Sequence, residues 1–175
     1  MFSKLDLNKQ FNHKFLYEKE VLNSEIGLDG TYVLKEELND IDCFNISGNE
    51  LDNIFCENQI LRINNYVDKL NVLGFSYWGS TNEYFEIIYQ DETIEKVRIP
   101  FIDWVMKSSI NYRTISWYGE NIKTVKQVTS KGLLKHTVNF HHSITKLNSK
   151  KMIKEIKLPD NFLIHIFAIT LEIPD

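Results

Sequence analysis

The chain has 175 residues, 43% of them hydrophobic and 13% aromatic, which is the size of one domain and too apolar for a disordered chain. Its 20 lysines and arginines stand against 24 aspartates and glutamates, a net charge of −4. No basic stripe runs along it and no stretch approaches the roughly 18 apolar residues of a membrane span, so nucleic acid and membrane are excluded as expected partners.

Residues 1–25 mix charge and aromatics without a clean period and are expected to form an N-terminal arm, irregular or briefly helical, lying across the body. Its opening, Met1 to Asn8, is polar and lacks the apolar core of a signal peptide, which points to a cytoplasmic protein. From residue 26 the pattern becomes short apolar runs divided by turn residues. Gly27-Leu28-Asp29-Gly30 turns into Thr31-Tyr32-Val33-Leu34, and strands are expected at 42–46, 53–56 and 58–63. The run from Lys69 to Trp78 passes through Gly79-Ser80-Thr81-Asn82 and emerges as Tyr84 to Tyr89. Asp91-Glu92 then joins it to Thr93 to Ile99 as a hairpin, although Asp-Glu is not a favoured primed-turn pair. Further strands are expected at 113–117, at 135–144 and at 152–157, the last alternating as a half-solvated strand does.

The end of the chain is the most distinctive part. Pro159-Asp160-Asn161 opens a nearly unbroken apolar run from Phe162 to Leu171, rich in β-branched and aromatic residues, as in a strand covered on both faces. With no 3.6-residue periods between strands, a doubly wound α/β design is excluded and a sandwich or barrel remains. Residues 26–175 are expected to be one all-β domain.

Several segments together carry a resemblance: Gly-Leu-Asp-Gly-Thr-Tyr at 27–32, Asp-Asn-Ile-Phe-Cys at 52–56, Leu-Asn-Val-Leu-Gly-Phe-Ser-Tyr-Trp-Gly at 70–79, Phe-Glu-Ile-Ile-Tyr-Gln-Asp at 85–91, and the closing run. The chain resembles the galactose-binding-like jelly-roll domains attached to, or encoded near, bacterial carbohydrate-active enzymes. That resemblance implies an antiparallel β-sandwich with jelly-roll topology and glycan binding through end loops or a concave face. It also implies a structural calcium as an optional companion, with no other cofactor. The sequence shows neither the signal peptide nor the catalytic module of a secreted glycan-degrading enzyme, so a stand-alone member acting on sugars inside the cell, or one with another task, is expected.

Sugars pack their C–H faces on aromatic rings and give their hydroxyls to amides and carboxylates. Trp78 beside Gly79 to Glu83, and Trp117-Tyr118-Gly119-Glu120-Asn121, both place a ring next to a polar loop. The expected ligand-binding residues are Trp78, Asn82, Glu83, Trp117, Tyr118 and His141, against the plainer reading that Trp78 plugs the end of the core and Trp117 lies under a loop; Trp104 is read as core. Without a bulge, His136, Val138, Phe140 and His142 share one face of their strand and His141 the other, with His136 and His142 about 20 Å apart, too far to share a metal. His141 facing a carboxylate would instead suit a small sugar-active lyase, isomerase or hydrolase subunit. No catalytic carboxylate pair, Walker loop, nucleophile elbow or calcium loop of alternating aspartates occurs, so binding without catalysis is the first reading. A third is an interaction protein that forms a homo-oligomer or docks a partner enzyme. Cys43 and Cys56 lack metal-site spacing and read as buried free thiols, pairing across strands being the alternative, and His165 reads as a hydrogen-bonded core residue.

Overall fold

The computed structural model describes residues 1–21, 27–41, 44, 46, 50–105 and 121–174. Its strands are β1 (Phe2–Lys4), β2 (Leu16–Tyr17), β3 (Thr31–Leu34), β4 (Ile54–Glu57), β5 (Ile60–Tyr66), β6 (Lys69–Ser76), β7 (Thr81–Tyr89), β8 (Ile94–Phe101), β9 (Ile122–Thr129), β10 (Lys131–Gly132), β11 (Thr137–Lys146), β12 (Met152–Lys157) and β13 (Asp160–Glu172). One turn of 3₁₀ helix, Lys35–Leu38, is the helical element among the described residues. The expected strands at 42–46 and 113–117 fall wholly or partly outside those residues, as does Cys43.

Two antiparallel sheets form a jelly roll. One runs β4-β13-β6-β11 with β9 added at the far edge, and β1 takes over from β4 beside the end of β13; the other runs β5-β12-β7-β8. The chain changes sheet from β4 to β5, from β5 to β6 and from β6 to β7, and again through β11, β12 and β13, which is the wrapping that defines this topology. The β7–β8 hairpin closes with Glu92 at φ 62°, so its Asp-Glu turn reaches the left-handed conformation without a glycine.

Between the sheets lies one core, in which Val72, Ile166 and Ile169 meet Phe85, Ile87 and Ile156. A second core covers the opposite face of the β13-β6-β11 sheet: Leu73, Phe75, Phe140 and Phe167 pack under Phe15, Leu16, Val33 and Leu38 from a layer built by the N-terminal third. That layer includes the parallel pair β2–β3, and the Phe15 ring stands 5.5 Å from Phe75 and 5.9 Å from Phe167. The N-terminal stretch therefore lies across the body as a structural layer, its first residues edging the sheet as β1. Cys56 is a buried free thiol, its pKa pushed up by burial.

β13 is buried on both faces, but its faces do not alternate simply. Its register against β6 shifts between Ile166 and Ala168. Ile164, Ile166, Ile169 and Leu171 thus enter the inter-sheet core while Phe167 and Ala168 enter the second. Strict period-two counting puts Phe167, Ile169 and Leu171 on one face, and the bulge, invisible in sequence, separates them.

Gly74 sits where β6, β13 and β8 meet. A Cβ there would stand 2.4 Å from the His165 carbonyl oxygen and 3.3 Å from the Phe101 ring. Gly74→Ala is expected to lose about 3 kcal/mol of stability by overpacking, read as a lower urea midpoint; an unchanged midpoint would show that the sheet yields there.

Candidate functional site

At one end of the sandwich the β6–β7 turn raises Trp78 into solvent. The indole is 74% exposed, and its backbone takes φ 63°, a left-handed conformation that disfavours any side chain. Gly79 follows at φ 114° with open space where a Cβ would be. The turn is held on both sides: the Gly79 N–H donates to Asp103 Oδ2 at 2.5 Å, and the Asp103 N–H donates to Ser80 Oγ at 2.9 Å. Asp103 Oδ1 also accepts from the Val105 N–H at 2.9 Å. The segment after β8 lies here as a short parallel bridge, Ser76 against Asp103, wedged between β6 and the start of β11.

Tyr77 supports the indole from below, with ring centroids 5.2 Å apart and planes inclined by 27°. Its own ring stands 5.4 Å from buried Trp104, and its hydroxyl donates to the Asp29 carboxylate on the Gly27–Gly30 turn. Partial burial and that bond push the Tyr77 hydroxyl pKa up to about 12. The result is a fixed two-ring stack, flat on its outer side, with exposed Asp29 beside it.

Asn82 stands half-buried at the start of β7, opposite Pro100. Glu83 shares the inward phase of β7, where its Oε1 accepts from Asn161 Nδ2 at 2.8 Å and from Thr81 Oγ1 at 3.0 Å; it braces the end of the sandwich. His141 is 2% exposed. Its Nδ1 lies 3.2 Å from Thr124 Oγ1, and burial holds its pKa down to about 4. No carboxylate is bonded to His141 among the described residues. Trp117 and Tyr118 lie outside the described residues. Sequence reasoning passed over Tyr77, Asp29 and Asp103 as partners of Trp78; the signal available was a non-glycine residue squeezed between an aromatic strand end and Gly79.

His165 is a hydrogen-bonded core residue: its Nδ1 meets Asn53 Oδ1 at 2.9 Å, among the rings of Phe55, Phe75 and His13. Among the described residues no group of three or more histidines, cysteines or acids is placed to hold a metal ion. No helix among them is long and apolar enough to cross a membrane.

This build defines a class: a small antiparallel β-sandwich domain that displays a stacked aromatic pair on an end turn. More particularly, the chain belongs to the AziU2-like beta-sandwich domain family, whose model matches residues 9–174. No curated protein matches it. Family membership fixes the sandwich.

Proposed function

We propose that the protein is a non-catalytic binding domain for a carbohydrate or glycoconjugate, recognised on the Trp78–Tyr77 stack and related in task to the galactose-binding-like domains that the sequence resembles. One observation carries this reading: a tryptophan 74% exposed on a left-handed residue. Burying so little of a large ring gains the fold almost nothing, and the φ of a non-glycine residue there costs about 1 kcal/mol. A pinned, solvent-facing ring suits the C–H face of a pyranose, with Asp29 and Asn82 as hydroxyl partners. His141 and Glu83 support the site from inside.

The test is a glycan array followed by titration of Trp78→Ala and Trp78→Gly. Both variants are expected to lose at least tenfold in affinity for any glycan that binds, while Trp78→Gly gains about 0.5–1 kcal/mol of stability from relieved backbone strain. If no glycan binds, or if the variants keep affinity or lose 2 kcal/mol or more of stability, Trp78 is a structural plug.

A second reading, docking to a partner enzyme or a second copy, draws on Leu133 and Leu134, exposed by 64% and 52%. The Leu133 N–H donates to Gly30 O at 3.0 Å, so these side chains extend the apolar end from the same turn that carries Asp29. Alanine at both leucines would then abolish co-purification with that partner and leave glycan binding untouched.

A further inference from the structure

The N-terminal layer covers only part of the outer face of the β13-β6-β11 sheet. Beyond it, at the end away from Trp78, a cleft of about 420 Å³ lies open on that face. The register places its floor in rows. In the first row Lys146 on β11 faces Lys69 on β6, which faces Glu172 on β13. In the second Ile144 faces Asn71, which faces Thr170. In the third His142 faces Lys123 on β9. Phe2 of β1 closes one side.

Two features of this floor are costly for a surface that binds nothing. Lys146 and Lys69 are directly opposed like charges, which destabilises a strand pair. Lys69 is neutralised by Glu172 at 2.7 Å, whereas among the described residues no carboxylate engages Lys146 or Lys123. The chain is acidic overall and yet keeps three lysines against one glutamate here. The second feature lies in the middle of the cleft. Asn71 and His142 are each 6% exposed, and His142 Nε2 lies 2.9 Å from Asn71 Oδ1. With the imidazole Nε2–H donating, Asn71 Nδ2 remains an unused donor and His142 Nδ1 an unused acceptor, and neither finds a protein partner. Buried polar atoms left unpaired are destabilising, a cost that ligand bonds would offset.

We propose that this cleft is a second binding site, distinct from the Trp78 surface, for a small organic oxyanion. Its carboxylate or phosphate sits between Lys123 and Lys146, a neighbouring acceptor takes the Asn71 amide, and a hydroxyl or N–H donates to His142 Nδ1. Ile144 and Phe2 cover the ligand's apolar part. A neutral sugar lacks the charge that the lysines ask for, so the two sites select different chemistry.

The test uses the ¹⁵N-labelled full chain, titrated in 150 mM chloride with malate, inorganic phosphate, glucose 6-phosphate and glucose while the His142 ring resonances are followed. At least one of the anions is expected to move them with a millimolar or tighter constant, the responding anion separating a carboxylate from a phosphate ligand, and glucose is expected to move nothing. Lys123→Gln with Lys146→Gln should weaken that binding tenfold or more, the paired arginine variant should restore it, and Trp78→Ala should leave it unchanged. The proposal is overturned if no anion moves His142, if glucose moves it equally, if the double glutamine variant binds as well as the parent, or if Trp78→Ala abolishes the effect.

Discussion

Moving from pH 7 to pH 5 is expected to cost the fold about 2 kcal/mol through His141, with His142 and His165 adding to the loss in the same direction. His141, His142 and His165 are 2%, 6% and 0% exposed. Burial holds the first two near a pKa of about 4, with the Lys123 charge adding to the effect on His142. Burial first, and His13 second, keep His165 well below the ordinary histidine value. In the unfolded chain these rings take a proton near pH 6.5. Above that pH both states are neutral and the histidines contribute nothing to pH dependence. Between about 6.5 and 4 the unfolded state binds more protons, so stability falls as pH falls. Below about 4, His141 and His142 protonate in the native state and their share of the loss levels off, while that of His165 continues. His13, also lowered by burial, acts in the same direction. Against a typical total of about 5–15 kcal/mol the effect is large. Urea unfolding at pH 7, 6 and 5 reads it directly, and His165→Asn, which keeps a donor for Asn53, should flatten the dependence. A midpoint that does not move between pH 7 and 5 would mean that these rings are protonated in place.

Asp52→Ala is expected to lose about 4 kcal/mol, the range for breaking a buried, fully bonded carboxylate. Asp52 is 1% exposed. Its Oδ1 accepts from the Phe15 N–H at 3.0 Å and Asn53 Nδ2 at 3.1 Å, and its Oδ2 accepts from the Leu16 N–H and Lys14 Nζ, each at 3.0 Å. Those backbone donors belong to the two residues that carry the N-terminal layer into the second core, so removing the carboxylate leaves both N–H groups buried and unpaired. The loss should be local before it is global: amide exchange at Phe15, Leu16 and Val33 should quicken more than at Ile87 or Ile156 in the inter-sheet core. A loss below 1 kcal/mol, or equal acceleration in both cores, would show that apolar packing alone holds the layer.

Much of the strand content was legible in sequence because alternation and turn chemistry are local properties. Met152 to Lys157 forms β12 over those same residues, with a bulge between Ile153 and Glu155 that turns Ile153 and Ile156, three positions apart, to the same buried side. The Gly27–Gly30 turn carries positive φ at Gly27, Asp29 and Gly30. The run from Phe162 to Leu171 in β13, apolar but for His165 and Thr170 and rich in β-branched and aromatic residues, reads as a strand with cover on both sides. β9 was not legible, since Ile122 to Thr129 mixes lysine, threonine and valine at a half-covered edge.

The sequence by itself determined an all-β chain of short strands and a buried final strand, since each rests on neighbours within a few residues; the jelly-roll order was implied by a family resemblance, and the pairing of distant strands decides it. Tertiary structure decided the rest. The bulge after Ile166 sorts the side chains of β13 between two cores, and Asp52, an ordinary acid in sequence, becomes the tie between Phe15 and the sheet. Trp78 acquires its meaning from Tyr77 beneath it and from Asp29, 48 positions from Tyr77 in sequence. His142 acquires its own from Asn71, 71 positions away. Such pairs are set by register between distant strands, where a slip of one residue would send every side chain to the other face.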